Sequence, residues 1–131
     1  MKTKIVLLLS MALFLTGCDA AMVMNGKIMG ISSGKFVYQD GHLTTSYKAD
    51  IDQVWAACEK TIKELKGTDM QKERKISVGK IRAIIQDEKV IISVEYVGRG
   101  LTSVSVFVGV AGNNIASRLI HEKIASYLVN P

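Results

Sequence analysis

The stretch LTSVSVFVGV at residues 101–110 restricts the possible folds more than any other segment of the chain. It is rich in β-branched residues, and strand alternation points Val104, Val106 and Val108 to one face. The opposite face carries Leu101, Ser103, Ser105, Phe107 and Gly109. A strand of this kind predicts an antiparallel sheet with one face on the core and the other facing solvent.

The segments before this strand predict a continuous series of antiparallel strands. Residues 90–97 read as a second strong strand, and Gly98-Arg99-Gly100 joins it to the first as a tight turn. Residues 79–86 alternate in the same way, and Asp87-Glu88-Lys89 is the predicted turn after them. Residues 69–77 are polar and predict an edge strand. Connections this short indicate a meander.

A hairpin and a helix are predicted ahead of the meander. Asp40-Gly41 separates two alternating runs within residues 35–49, which is a hairpin signal. Asp50 can cap the following helix, Gln53 completes a capping-box pattern, and Gly67 is expected to end it. The apolar face of this helix is predicted to carry Ile51, Val54, Trp55, Cys58, Ile62 and Leu65.

A last helix is predicted over residues 113–129, capped by Asn113 or Asn114. Its apolar face is predicted to consist of Ile115, Leu119, Ile120, Ile124, Tyr127 and Leu128. The order hairpin, helix, meander, helix predicts an α+β fold in which helices cover one face of an antiparallel sheet. Residues 35–131 are expected to form this single domain.

The first residues read as a targeting segment. Lys2 and Lys4 precede an apolar run at residues 5–15 that is too short to span a bilayer comfortably. Leu15-Thr16-Gly17-Cys18 resembles the bacterial lipobox, in which the peptide bond between Gly17 and Cys18 is cleaved and the Cys18 thiol is acylated. Residues 1–17 are therefore interpreted as a lipoprotein signal peptide. An ordinary signal peptide or an uncleaved anchor is the alternative.

Residues 18–34 are expected to be a flexible, lipid-anchored tether, because glycine and serine recur in them. The segment is rich in methionine and isoleucine for a linker, and it could also lie on lipid or pack on the domain. The expected location is the bacterial cell envelope, facing the periplasm. Asp19 after the cysteine resembles an inner-membrane retention signal, with the outer membrane as the alternative.

Charge and cysteine content restrict the function classes. Without Lys2 and Lys4, 15 Lys and Arg remain against 12 Asp and Glu, an excess too small and too dispersed to predict nucleic-acid binding. An acylated Cys18 leaves Cys58 without an intramolecular disulfide partner. Cys58 is therefore interpreted as an inert, buried thiol.

No enzyme class is indicated by the remaining residues. His42 and His121 are interpreted as surface histidines, because neither has a second ligand at metal-binding spacing. Phosphate-binding, dinucleotide and nucleophile-elbow motifs are absent from the sequence. The expectation is a protein that is not an enzyme and that uses no metal or cofactor.

The whole pattern resembles a family of small bacterial lipoproteins classed as a domain of unknown function. The residues that carry the resemblance are the lipobox, Tyr38, Gly41, Leu43 and Tyr47, the Val54-Trp55 pair, Gly79, the valine-rich strand and Gly109. The resemblance implies an envelope lipoprotein of the virulence-associated kind found in intracellular pathogens. It also implies a helix-grip fold like that of the birch-pollen allergens, with one helix after the first hairpin instead of a pair.

The expected function is that of a membrane-tethered, non-enzymatic binding or interaction module. Its partner would be an envelope protein or a small apolar ligand held between helix and sheet. The residues predicted to line such a cavity, unless they are simply core, are Trp55, Ile85, Val94, Tyr96, Val106, Ile120 and Ile124. The alternative is a structural, assembly-accessory lipoprotein without a ligand, docked through the tether and one sheet edge.

Overall fold

A computed structural model describes residues 35–129 of the chain. The predictions for residues 1–17, for Cys18 and for residues 18–34 lie outside the described residues. The described part contains six strands and two helices. In chain order they are β1 (Val37–Gln39), β2 (His42–Tyr47), α1 (Ile51–Glu64), β3 (Thr68–Arg74), β4 (Val78–Ile85), β5 (Glu88–Gly98), β6 (Leu101–Val108) and α2 (Asn114–Val129).

The six strands form one antiparallel sheet in the order β1-β2-β6-β5-β4-β3. β6 lies between β2 and β5, so the first hairpin pairs with the last strand of the meander. β3 forms one edge, as its polar sequence predicts. β1 forms the other edge and is only three residues long. The α+β fold predicted from the sequence is confirmed.

Two-residue turns set the register at one end of this sheet. Asp40 and Gly41 have φ values of 52° and 81°, as in the left-handed turns that tight hairpins favour. Gln86 and Asp87 have φ values of 50° and 63° and join β4 to β5. The prediction that placed this turn at residues 87–89 is one residue late, since Glu88 already begins β5.

Helix α1 begins where the sequence predicts. The Gln53 Oε1 atom accepts a hydrogen bond from the Asp50 backbone N–H at 3.3 Å. Val54, Cys58 and Ile62 are fully buried against the sheet. At the other end the left-handed residue is Lys66, with a φ of 58°, and not Gly67. A Cβ atom at Gly67 would lie 2.5 Å from Ile62 Cγ2, so glycine is required there for space.

Helix α2 begins at the predicted cap, and its buried face overlaps the predicted one in part. Ile120 and Ile124 are buried as predicted. The Asn113 side chain accepts a hydrogen bond from the Ala116 N–H at 3.0 Å. Ile115 and Leu119, which were predicted to face the core, are 77% and 58% exposed. The buried residues of the helix are Ser117, Ile120, His121 and Ile124. The i, i+3, i+4, i+7 spacing is kept, but the face that turns inward contains two polar side chains.

One hydrophobic core lies between the two helices and one face of the sheet. Valine and isoleucine side chains of β4, β5 and β6 point into it, including Ile81, Ile92 and Val104. The helices contact each other at the surface through Lys123 and Glu64, whose charged atoms are 2.8 Å apart. Neither helix within residues 35–129 is long and apolar enough to cross a membrane.

Candidate functional site

The sheet face that points away from the helices carries a row of short polar side chains. The strand register aligns Thr44 with Ser105, Ser105 with Ser93, and Ser93 with Lys80. Lys80 is in turn aligned with Glu73 on the edge strand β3. Cross-strand partners point to the same face, so the row runs across five strands without interruption.

A groove of about 510 Å³ follows this row. Its floor is formed by the small side chains of Thr44, Ser93, Ser103 and Ser105. Larger side chains, among them Glu73, Lys80 and Glu95, line the same groove, and the short hydroxyls between them leave the space open. Serine and threonine hydroxyls both donate and accept hydrogen bonds, which suits a ligand with mixed polar groups.

Charges of both signs line the same groove. Lys75 and Lys80 supply ammonium groups, and Glu73 and Glu95 supply carboxylates. The Glu73 carboxylate is also 3.9 Å from the Arg82 guanidinium, so its charge is partly balanced. A partner with alternating charges would therefore fit the groove better than one of a single sign.

An imidazole lies at one end of the hydroxyl row. The Ser105 hydroxyl and His42 Nδ1 are 3.3 Å apart, and the His42 and Phe107 ring centroids are 4.7 Å apart. His42 is exposed, as the sequence interpretation expects. The aromatic ring borders the polar floor and gives the face one apolar margin.

The residues predicted to line an apolar cavity lie on the opposite, helix-covered side. Val94, Val106, Ile120 and Ile124 are 5% exposed or less and belong to the contiguous core. Trp55 and Ile85 are half-buried and pack against the same cluster. Because these side chains fill the space between helices and sheet, a ligand there would have to displace them.

Tyr96 is placed differently from the other residues of that group. It shares the helix-side face of β5 with Val94 but is 49% exposed. The sheet register is irregular between Tyr96 and Gly98, close to the end of the strand. Tyr96 therefore lies at the margin of the core.

The interpretation of His121 as a surface histidine is wrong, because its side chain is fully buried. Its Nδ1 atom lies 2.7 Å from the Tyr47 hydroxyl, and its Nε2 atom lies 2.7 Å from the Leu43 carbonyl oxygen. A carbonyl only accepts, so Nε2 carries the proton and donates to Leu43. Nδ1 then accepts from the Tyr47 hydroxyl, which defines a neutral imidazole with one tautomer.

Burial governs the protonation of this pair. The pKa of His121 is lowered to about 4, chiefly by desolvation. The hydrogen bond to the Leu43 carbonyl opposes this shift, and the positive charge of Arg118 adds a smaller lowering. Desolvation, followed by the influence of Cys58, raises the pKa of Tyr47 above its ordinary value. Both groups are therefore neutral near pH 7, and the pair joins β2 to α2.

The sequence contains the spacing that places His121 on the buried stripe of α2, but a neighbouring stripe is more hydrophobic and was therefore predicted to face the core. Ser117, Ile120, His121 and Ile124 have helical spacing on one stripe. A neighbouring stripe contains more large apolar side chains, among them Ile115 and Leu119. Only the partners Tyr47 and Leu43, far away in the sequence, make the polar stripe the buried one.

Cys58 is a free, fully buried cysteine, which agrees with its interpretation as a structural thiol. Burial, with a smaller influence of Glu59, raises the pKa of the thiol and disfavours the reactive thiolate. Within residues 35–129, no group of three or more His, Cys, Asp or Glu side chains could hold a metal ion.

Comparison with known protein families gives a match over almost the whole chain. Residues 2–127 match the family described as a protein of unknown function, DUF3568. None of the curated proteins matches the chain. The match includes all six strands and all but the last two residues of α2.

Proposed function

This chain belongs to the DUF3568 family of proteins of unknown function, and we propose that it is a lipid-anchored envelope protein that acts as a binding module. The domain over residues 35–129 would bind a protein partner through the open face of its sheet. The observation that carries the binding role is the groove across Thr44, Ser105, Ser93 and Lys80.

The lipobox supports the anchoring. Cleavage before Cys18 and acylation of its thiol would attach the mature chain to a bilayer without a spanning helix. Each buried methylene contributes about 0.8 kcal/mol, so two or more acyl chains hold a protein stably. Virulence association is part of the proposal only through the resemblance to envelope lipoproteins of intracellular pathogens.

The chemistry of the open face supports binding rather than catalysis. Among residues 35–129, the side chains with displaced pKa values are Tyr47, Cys58, Glu64, His121 and Tyr127. The groove is lined instead by hydroxyls, two lysines, two glutamates, Gly79 and the apolar residues Val78 and Val94. Short hydroxyls beside charges of both signs can hydrogen-bond an extended polypeptide segment and fix its register.

A second candidate function is that of a structural accessory protein without a ligand. The observation that favours it is the β1 edge, where Val37 and Tyr38 are 55% and 45% exposed. An edge strand can pair with a strand of another protein. A third candidate function is binding of a small apolar ligand between the helices and the sheet. This function requires the packed core to open.

Anchoring is tested by the intact mass of protein purified from membranes, wild type beside Cys18→Ala. We expect a mature chain that starts at residue 18 with added acyl mass, and loss of that mass in the variant. An uncleaved or unmodified wild-type chain contradicts the proposal.

Binding is tested by photo-crosslinking in cells with a benzophenone amino acid at Ser93, Tyr38 or Glu122. Ser93 lies in the groove, Tyr38 on the β1 edge, and Glu122 is exposed on α2. The proposal predicts a discrete adduct from position 93 that is lost when Ser105→Arg fills the groove. An adduct from position 38 alone supports the accessory function instead.

A further inference from the structure

One end of the sheet, called here the proximal end, presents exposed apolar side chains. It comprises Lys35 before β1, the β3–β4 turn at residues 75–77 and the β5–β6 turn at residues 99–100. Ile76 is 95% exposed there, and Val97 is 54% exposed. Tyr96 and Val78 lie beside them and are also exposed. Large apolar side chains clustered at exposed turns are typical of a surface that has a partner.

The exposure of Ile76 occurs in a turn whose backbone is well held. The Arg74 guanidinium donates to the carbonyls of Lys75 and Ile76, and it is paired with Asp52 at 2.6 Å. The same guanidinium lies 5.7 Å from the Trp55 ring centroid. The structure thus fixes the turn through its backbone and leaves the isoleucine side chain in solvent.

The two turns also form one continuous surface. The Tyr96 backbone N–H donates to the Ser77 carbonyl at 2.8 Å, and the Lys75 N–H donates to the Val78 carbonyl at 2.8 Å. Ile76 precedes Ser77 and Val97 follows Tyr96, so the hydrogen bond between Ser77 and Tyr96 brings the two apolar residues onto neighbouring turns. Their side chains can contact the same partner at once.

The charges of this end favour an anionic partner. Four cations belong to it within the described residues, at Lys35, Lys48, Lys75 and Arg99. The same end carries two carboxylates, Asp50 and Glu95, and the Arg74–Asp52 ion pair, whose charges cancel. Cations beside protruding apolar side chains are the combination that binds the interface of an anionic bilayer.

The chain reaches the domain at this same end. The Thr45 hydroxyl donates to the Lys35 carbonyl at 3.3 Å, which places the start of the domain beside the last part of β2. Residues 18–34 separate Cys18 from this point, and a fully extended segment of that length reaches about 60 Å. A lipid anchor at Cys18 would thus attach the domain to the bilayer from the proximal end.

We propose that the proximal end docks on an anionic lipid bilayer, with Ile76, Tyr96 and Val97 at the interface and Lys75 and Arg99 on the headgroups. This inference rests on the proposed lipid anchor for delivery to the membrane. Docking would place the proximal end of the groove beside the lipid surface, because Lys75, Val78 and Glu95 line the groove there.

The test uses the mature protein from membranes, reconstituted in vesicles of neutral or mixed neutral and anionic phospholipid. Ile76→Cys carries an environment-sensitive fluorophore, because the native Cys58 is fully buried and its thiol is poorly reactive. The matched control is Asp87→Cys in the β4–β5 turn, at the opposite end of the sheet. We expect blue-shifted emission and at least threefold stronger quenching by doxyl lipids at position 76 than at position 87, on anionic vesicles.

Equal quenching at the two positions overturns the docking proposal. A blue shift at position 76 without lipid quenching also overturns it, because the surface then contacts protein. The intact mass of the same samples reports acylation separately. If acylation is absent, the anchor is wrong. The two labelled variants are then made with Cys18→Ser, so that only position 76 or 87 takes the fluorophore, and their difference on added vesicles still decides the docking.

The contribution of the cations to docking is tested with two pairs of charge-reversing substitutions. Lys75→Glu with Arg99→Glu, made in the labelled Ile76→Cys protein, should reduce quenching at least threefold. Lys63→Glu with Lys89→Glu changes the net charge equally but away from the proximal end. In that control the fluorophore should be quenched as strongly as in the parent protein. Equal losses of quenching in the two double variants contradict a specific docking surface.

Discussion

Tyr47 and His121, which are 74 residues apart in the sequence, are joined by a buried hydrogen bond of 2.7 Å between the phenol oxygen and Nδ1. The bond connects the last residue of β2 to the middle of α2. The His121 backbone carbonyl is a further acceptor, 3.1 Å from the same hydroxyl. The C-terminal helix is therefore fixed on the sheet by a polar contact as well as by apolar packing.

Stability should fall in mild acid because of this histidine. Burial lowers the pKa of His121 from 6.5 to about 4, so between these pH values the unfolded chain binds a proton that the folded chain does not. Stability is thus lost as the pH falls from 6.5 and levels off below 4 for this group. We expect the free energy of unfolding to be about 2 kcal/mol smaller at pH 5 than at pH 7. Urea unfolding followed by Trp55 fluorescence measures it.

His121→Gln is the variant that tests this assignment. It should destabilise the protein at pH 7 but remove most of the loss between pH 7 and pH 5. His42→Gln replaces the exposed histidine and should keep the wild-type pH dependence. If His121→Gln unfolds with the same pH dependence as wild type, another group is responsible.

Removing the Tyr47 hydroxyl should be costly although the ring is kept. Tyr47→Phe leaves His121 Nδ1 buried without a donor, and an unsatisfied buried acceptor costs ~1–3 kcal/mol. Tyr96→Phe makes the same chemical change at a 49% exposed ring and should stay within ~0.5 kcal/mol of wild type. Equal urea midpoints for the two variants would contradict a structural role for the Tyr47–His121 bond.

The strands could be predicted from the sequence because their signals are local. Val104, Val106 and Val108 alternate with Ser103, Ser105 and Phe107, and all three valines are buried. Asp40-Gly41 supplies the left-handed residues that a two-residue hairpin requires. Gln86 and Asp87 adopt the same conformation without a glycine, so the sequence placed that turn one residue late.

The buried face of α2 and the groove could not be predicted because both depend on distant pairings. His121 is buried only because Leu43 and Tyr47 supply its hydrogen-bond partners. The outward direction of Ser105 follows from alternation within β6. Its alignment with Thr44 and Ser93 follows from the order of strands in the sheet, which no local pattern contains.

Close packing of Trp55 on Gly79 predicts strong sensitivity to one methyl group. A Cβ atom at Gly79 would lie 2.5 Å from Trp55 Cζ3 and 2.9 Å from Cε3. Gly79→Ala should therefore displace the indole and cost ~1–3 kcal/mol in thermal unfolding. At Gly98 an added Cβ meets no atom within 4 Å, so Gly98→Ala is the matched control. A shift of the Trp55 emission in the first variant only is also expected, and its absence argues against the contact.

The two faces of β6 should respond in opposite ways to substitutions at adjacent residues. Val104 is fully buried, so Val104→Ser removes apolar packing and places a hydroxyl in the core, at a cost of ~2–4 kcal/mol. Ser105 lies on the open face, where Ser105→Val adds β-propensity without entering the core, and stability should be unchanged or higher. Urea unfolding of both variants checks the register directly. A destabilised Ser105→Val protein would mean that the open face is covered in the folded protein, and the groove proposed as the binding site would then not be accessible.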